Sequence, residues 1–484
     1  MKYIFKTIMA MTLLFFISCE EKLADLSVDP NVAFVANDSE VLTSAQGYLA
    51  IVQDVDLNQG SFLWAQYYTW GIGVSIGNQE RYVAEPDDRD GYWGRAYTNI
   101  LADTKYLSNS ENAAYRGVGK ILHAYTFQGL VDHFGDIPYF EALNGEVADG
   151  SNVAPAFDNA ALIYADLVKL LDEALAEFDL AVLLEEDQDI GSDDVVYGGD
   201  LDKWTRFANS LKLRILMRTS EVDPKGAEIV ALINDGTFLE SAGDLAQVQW
   251  TGSIGDQNPM YATQLSGVGD FYFASNATVE FLNGLNDPRV DYFYSQASSG
   301  TVVAIDQGAV DRDVPFTANA ADYSGSSSYA NGQAVPTVLM SPWEVWFLRA
   351  EAAARYTTSD DDATAFATAI QMNFDAVGAG DASVFITNLG YGGSLDARLD
   401  LIGTQKWVSM NGTQEDEGWI ETRRFDRPAS RIFSQSIFQT PVLSVLGNNV
   451  HPRTWLYPAS ELSFNPTQAP LQRTLITSPL FWDN

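Results

Sequence analysis

The chain contains one cysteine, and its position gives it a chemistry. Cys19 follows a short apolar run, Ile8 to Ile17, which itself follows Lys2 and Lys6. A basic start, a short apolar core and a small residue before the cut, here Ser18, make a secretory signal. The core is about ten residues, half of the roughly twenty that span a bilayer. No second cysteine exists to pair with it, so the thiol is left for another reaction. The pattern predicts a lipoprotein signal in which residues 1–18 are removed and Cys19 is acylated. Residues 19–31 then form a lipid-anchored tether, and 32–484 a single domain. More than one acyl chain on Cys19 would make the anchorage stable.

Other reactive patterns are weaker. Gly73-Val74-Ser75-Ile76-Gly77 matches the G-x-S-x-G of a nucleophile elbow, which needs a strand before the serine and a helix after it. Glu85-Pro86-Asp87 downstream is poor helix material, so no catalytic serine is expected. His123, His133 and His451 lack the spacing of a zinc pair and read as packing or surface residues. The acidic run Glu185 to Asp194 does not fit an EF-hand and reads as a solvated loop. No cofactor or metal is expected.

Charge narrows the partners. The chain has 28 basic against 65 acidic residues, a net charge of −37. Nucleic acid is excluded as a partner and anionic surfaces are disfavoured. An anionic glycan would need a local basic patch, so a neutral one, such as a β-glucan of the laminarin type, is favoured.

The elements that must position any site are mainly helices. Ile163, Leu167, Leu170, Leu171, Ala174 and Phe178 recur at helical spacing and predict a helix over 158–179. Similar patterns predict helices over 112–133, 202–219 and 343–356. Weaker ones lie near 39–55, 93–108, 224–234, 277–285, 359–374 and 396–410. Residues 56–92 and 250–342 give no clear period, yet are too aromatic for disorder and read as long functional loops. The fold class is mostly α, with little β.

Several segments in order resemble the SusD/RagB nutrient-binding outer-membrane lipoproteins of Bacteroidetes. They are Asp25 to Asn31, Asn209-Ser210-Leu211-Lys212-Leu213-Arg214, Leu285-Asn286-Asp287-Pro288-Arg289, and Ser341-Pro342-Trp343-Glu344 on to Ala353. Arg423-Arg424-Phe425-Asp426-Arg427-Pro428 and Leu456-Tyr457-Pro458-Ala459 complete the set. The resemblance implies tetratricopeptide-like helix pairs as scaffold, with loop-rich segments forming a ligand face. It further implies a non-catalytic protein on the outer leaflet of the outer membrane. There it would bind a glycan and pass it to a SusC-like TonB-dependent transporter. A family member that binds peptides or other oligomers is the second reading, and a secreted glycosidase or esterase the third. The basic residues Lys203, Arg206, Lys212, Arg214 and Arg218 are expected to form internal ion pairs.

Sugar rings stack their C–H faces on aromatic rings and need polar partners for their hydroxyls. Aromatic residues in the two loops are therefore the candidates. Trp64, Trp70 and Tyr82 lie in the first, beside Asn78 and Gln79; Phe271, Tyr272, Tyr323 and Tyr329 lie in the second. Trp343, in the first turn after the second loop, is an added stacking candidate. Together the two loops are expected to form a shallow platform.

Overall fold

A computed structural model describes residues 36–71, 79–145, 153–264, 272–309 and 319–483. Cys19, Ser75, Asn78 and Phe271 lie outside them. Helices dominate, as the periodicity predicts. The long ones are α1 (Asp38–Ile51), α2 (Ala102–Ser108), α3 (Ala113–Phe134), α4 (Ala160–Leu184), α5 (Leu201–Arg218) and α6 (Gly226–Asp235). They continue with α7 (Asn276–Leu285), α8 (Pro342–Arg355), α9 (Asp362–Val377), α10 (Leu395–Met410) and α11 (Glu415–Phe425). Consecutive helices pack as pairs: α3 on α4, α8 on α9 and α10 on α11.

The helix starts follow local chemistry. Asn159 caps α4 by accepting from the backbone N–H groups of Ala161 and Leu162, and Asp361 caps α9 in the same way through Thr364. The α4 stripe read from the sequence is its buried face, with Ile163, Leu167, Leu171, Ala174 and Phe178 inside. Gly117 of α3 faces that stripe so closely that a Cβ there would meet the Phe178 ring at 2.3 Å.

Among the described residues strands are few and short. They form three antiparallel pairs: β1 (Tyr68–Trp70) with β5 (Tyr272–Ala274), β2 (Ile137–Pro138) with β3 (Phe157–Asp158), and β4 (Ala246–Val248) with β6 (Thr337–Met340). Two of them tie the unassigned stretches into the body. The 56–92 stretch is also more regular than its composition suggests. It contains a π-helical segment Val52–Asn58, a short helix Gln59–Ser61, β1, a 3-10 turn Gln79–Arg81 and the helix Asp90–Arg95.

A buried ion network links α5, α8, α10 and α11. Arg214 forks onto Glu344 at 2.6 and 2.7 Å, and Arg218 meets Glu417, Glu421 and Asp132. Lys406 sits between Glu417 and Glu421, and Arg424 between Glu351 and Glu421. Of the five basic residues expected to form internal ion pairs, Arg214 and Arg218 do so; Lys212 and Arg206 pair nearer the surface with Asp172 and Asp244, and Lys203 lies over the Tyr197 ring instead. Burying so many charges is tolerable only because each finds a partner.

Candidate functional site

The β1–β5 pairing sets Trp70 opposite Tyr272. The two rings lie 4.8 Å apart, yet each is only 5% exposed. Gln59 donates to the Tyr272 hydroxyl at 2.7 Å, and Glu80 accepts from the Trp70 backbone N–H at 2.8 Å. Deeper still, Trp64 is 2% and Tyr82 1% exposed. Trp64 packs edge-on against Trp419 at 5.2 Å and donates its indole N–H to the Gln79 carbonyl. Tyr82 sits at a positive φ of 68°, with its hydroxyl 2.8 Å from His451 Nδ1. Placing Trp64, Trp70, Tyr82 and Tyr272 on an open ligand face is therefore corrected. The helical turns and β1 within 56–82 fold these rings into the core. Gln79 contributes a carbonyl to that core, and Tyr323 lies half-buried with Phe273 as its ring neighbour at 6.5 Å.

Two candidates do come together. Trp343, itself only 5% exposed, and the half-buried Tyr329 line a cleft of about 790 Å³. Its position follows from the start of α8. Ser341 is the N-cap, its hydroxyl accepting from the Glu344 N–H at 3.3 Å, and Pro342 occupies the first turn. A helix turns about 100° per residue, at 3.6 residues per turn, so Trp343 and Glu344 diverge. Glu344 enters the ion network and Trp343 closes the cleft wall. Among the described residues the Trp343 indole N–H has no acceptor. Tyr329 is brought in by the loop before β6 and backs onto Gly412, whose φ is +83°. A Cβ there would lie 3.1 Å from the Tyr329 ring, so this turn needs glycine. Burial pushes the Tyr329 hydroxyl well above the usual phenol range, so it stays protonated.

The rest of the lining comes from regular elements. Gln247 of β4 and Val338 of β6 are directly paired and share one face. Met372, Asp375 and Ala376 of α9 stand one turn apart on one helix face. Leu245, Val335 and Pro336 complete an apolar floor, while Gln247, Ser328, Asp375 and Thr413 bring polar groups. Among the described residues no lysine or arginine lines the cleft, and Asp375 is the one carboxylate. Asp375 already accepts from Gln371 at 2.8 Å. The arrangement suits a neutral, amphipathic ligand: rings against Trp343 and Tyr329, hydroxyls toward the amide, hydroxyl and carboxylate groups. Its form is a cleft rather than the expected platform.

Gln247, Met372, Asp375 and Thr413 escaped the sequence reading, which sought ligand contacts in loops. Three of them sit on a strand or a helix and the fourth in a tight turn, where only the fold shows which way they face. Among the described residues no group of histidines and acids could hold a metal, and no helix is long and apolar enough to cross a membrane.

The family model described as SusD-like, starch-binding and associating with the outer membrane matches residues 30–458. Solved structures agree in fold. A SusD homologue from Bacteroides vulgatus is 21% identical, with TM-score 0.77 over 92% of this chain and 97% of that one. A SusD-like protein from Bacteroides thetaiotaomicron is 23% identical, with TM-score 0.77 over 92% and 99%. A chitin-binding SusD homologue from Flavobacterium johnsoniae is 20% identical, with TM-score 0.75 over 92% and 98%. No curated protein sequence matches the chain.

Proposed function

The chain belongs to the SusD-like family of starch-binding, outer-membrane-associated proteins, and on that premise we propose that it captures a neutral oligo- or polysaccharide in the Trp343 cleft. It would act as a surface lipoprotein anchored through Cys19, facing the exterior, and deliver its ligand to a SusC-like TonB-dependent transporter. The observation that carries this reading is the cleft lining: among the described residues, two aromatic rings, an apolar floor, four polar side chains and no cation. A volume near 790 Å³ falls within the range of about 300–1,000 Å³ usual for small-ligand sites. A fold relative named for chitin binding supports a neutral sugar polymer. Glycoside hydrolysis uses two carboxylates flanking the bond, about 5–9.5 Å apart. Among the described residues the cleft offers Asp375 alone, which favours binding without cleavage.

Affinity gel electrophoresis tests the reading. The purified protein should be retarded by at least one of starch, laminarin or soluble chitin oligomers, and released unchanged sugar should show no shortening. Retardation by alginate or pectin alone, or cleavage of any of these, would overturn it.

A further inference from the structure

The Arg423 to Arg427 run supplies three arginines at the end of α11, and they are not treated alike. Arg424 is held by Glu351 and Glu421, and Arg427 by Asp396 and Asp400. Among the described residues Arg423 touches no carboxylate. Its guanidinium lies 3.8 Å from the Trp419 ring centroid and 4.8 Å from that of Trp482. Nη1 donates to the Arg453 carbonyl at 2.7 Å, Nη2 to the Asp132 carbonyl at 3.0 Å, and Nε to nothing. Burial pulls this guanidinium down to about 10; the carboxylates of Asp483, Asp132 and Asp416 oppose it without contact. A buried cation held only by carbonyls and rings is under-compensated.

Beside it opens a second cavity, of about 310 Å³, lined by Arg423, Arg431, Gln435, Asn449, His451 and Arg453 among others. Arg431 faces Asp426 at 3.5 Å and Arg453 is paired with Asp483, so Arg423 leaves a surplus positive charge. Gln66 is fixed by the Gln439 backbone, accepting from its N–H and donating to its carbonyl, and donates to the Tyr82 hydroxyl. That hydroxyl therefore gives its proton to His451 Nδ1, which leaves a hydrogen on Nε2. Nε2 makes no hydrogen bond of good geometry, although the Ser434 backbone is near. Two lining residues, Arg431 and Asn449, hold left-handed φ values of +49° and +57°, a strain that concentrates at ligand sites.

We propose that this cavity is a second binding site, for a carboxylate carried by a uronic-acid sugar or by a small free organic acid. A carboxylate would supply the missing counter-charge in the geometry that arginine prefers. Gln435, Asn449 and His451 offer donors for neighbouring oxygens. The site rests on observations separate from the large cleft, and it stands or falls without it.

Calorimetry with galacturonate, acetate and galactose decides the matter. Galacturonate should bind and galactose should not. Binding of acetate at the same site, shown by competition, would make the free acid sufficient; its failure to compete would assign the site to the sugar acid. Arg423→Gln should weaken galacturonate binding tenfold or more. Gln435→Glu, at an exposed rim position, should weaken it severalfold while melting like the parent, which covers the case of a poorly folding Arg423 variant. No binding of galacturonate, equal binding of galactose, or parent-like binding by the rim variant would each overturn the proposal.

Discussion

Two aromatic regions of this molecule look alike in sequence and differ in structure. Around β1 and β5, Trp64, Trp70, Tyr82 and Tyr272 lie inside, each held by ring contacts and by hydrogen bonds from or to named groups. At the start of α8, Trp343 and Tyr329 border open space. The first set is a structural core beneath the loops; the second lines the described cleft. Aromatic content in a loop-rich stretch thus marks either a core or the wall of an open cleft. What separates them is the space each borders: Trp70 and Trp343 are both 5% exposed and neither indole N–H has an acceptor among the described residues, but only Trp343 lines the large cleft.

The sharpest way to break this comparison is Trp64→Ala. Removing a buried indole from a packed core costs about 3–5 kcal/mol, and chemical denaturation should show that loss. If the variant is as stable as the parent, Trp64 is not a core residue. Tyr82→Phe keeps the ring and removes the bond to His451, leaving Nδ1 unpaired. A cost of about 1–3 kcal/mol is expected for a buried group left unsatisfied, with glycan retention in affinity gels unchanged. Parent-like stability would show that the Tyr82–His451 contact carries little.

A smaller effect depends on pH. Burial pushes Glu415 up to about 8 and Asp54 up to about 7, so both hold protons that the unfolded chain releases near pH 4. Their folded-state proton excess means that stability falls as pH rises from about 4 through 8. Glu417 and Glu421 act oppositely. Burial raises them, but Arg218, Arg424 and Lys406 outweigh it and hold both below the usual range. Their contribution is present above about pH 4 and lost below it. Urea midpoints should therefore peak on the acidic side of neutrality, and Glu415→Gln should flatten the decline toward pH 8. A decline of the same slope in that variant would remove Glu415 from the account.

Much of the scaffold was legible because helices write their buried face at a 3.6-residue period. The α4 stripe is the clear case, and its pattern even marked the right inward residues. The family resemblance added the order of motifs that the fold then placed. Helix α11 was not predicted, because Glu415-Asp416-Glu417 and Arg423-Arg424 break any apolar helical period, and Arg423-Arg424 entered only as part of a family motif. All of these side chains are buried in ion pairs and hydrogen bonds, which pattern reasoning scores as exposed. The site was half legible for a related reason. Trp343 and Tyr329 were named, but Gln247, Met372 and Asp375 depend on β4–β6 register and on the α9 face, which no local pattern reports.

The central claim is that the ligand occupies the Trp343 cleft, and Ala376→Trp tests it most directly. Ala376 is exposed on α9 and lines the cleft, so a tryptophan there fills the space without entering the core. Calorimetry should use whichever of starch, laminarin or chitin oligomers retards the parent protein. The account predicts a loss of tenfold or more, about 1.4 kcal/mol, at an unchanged melting temperature. Parent-like affinity in a normally folded Ala376→Trp protein would contradict it and place the ligand elsewhere.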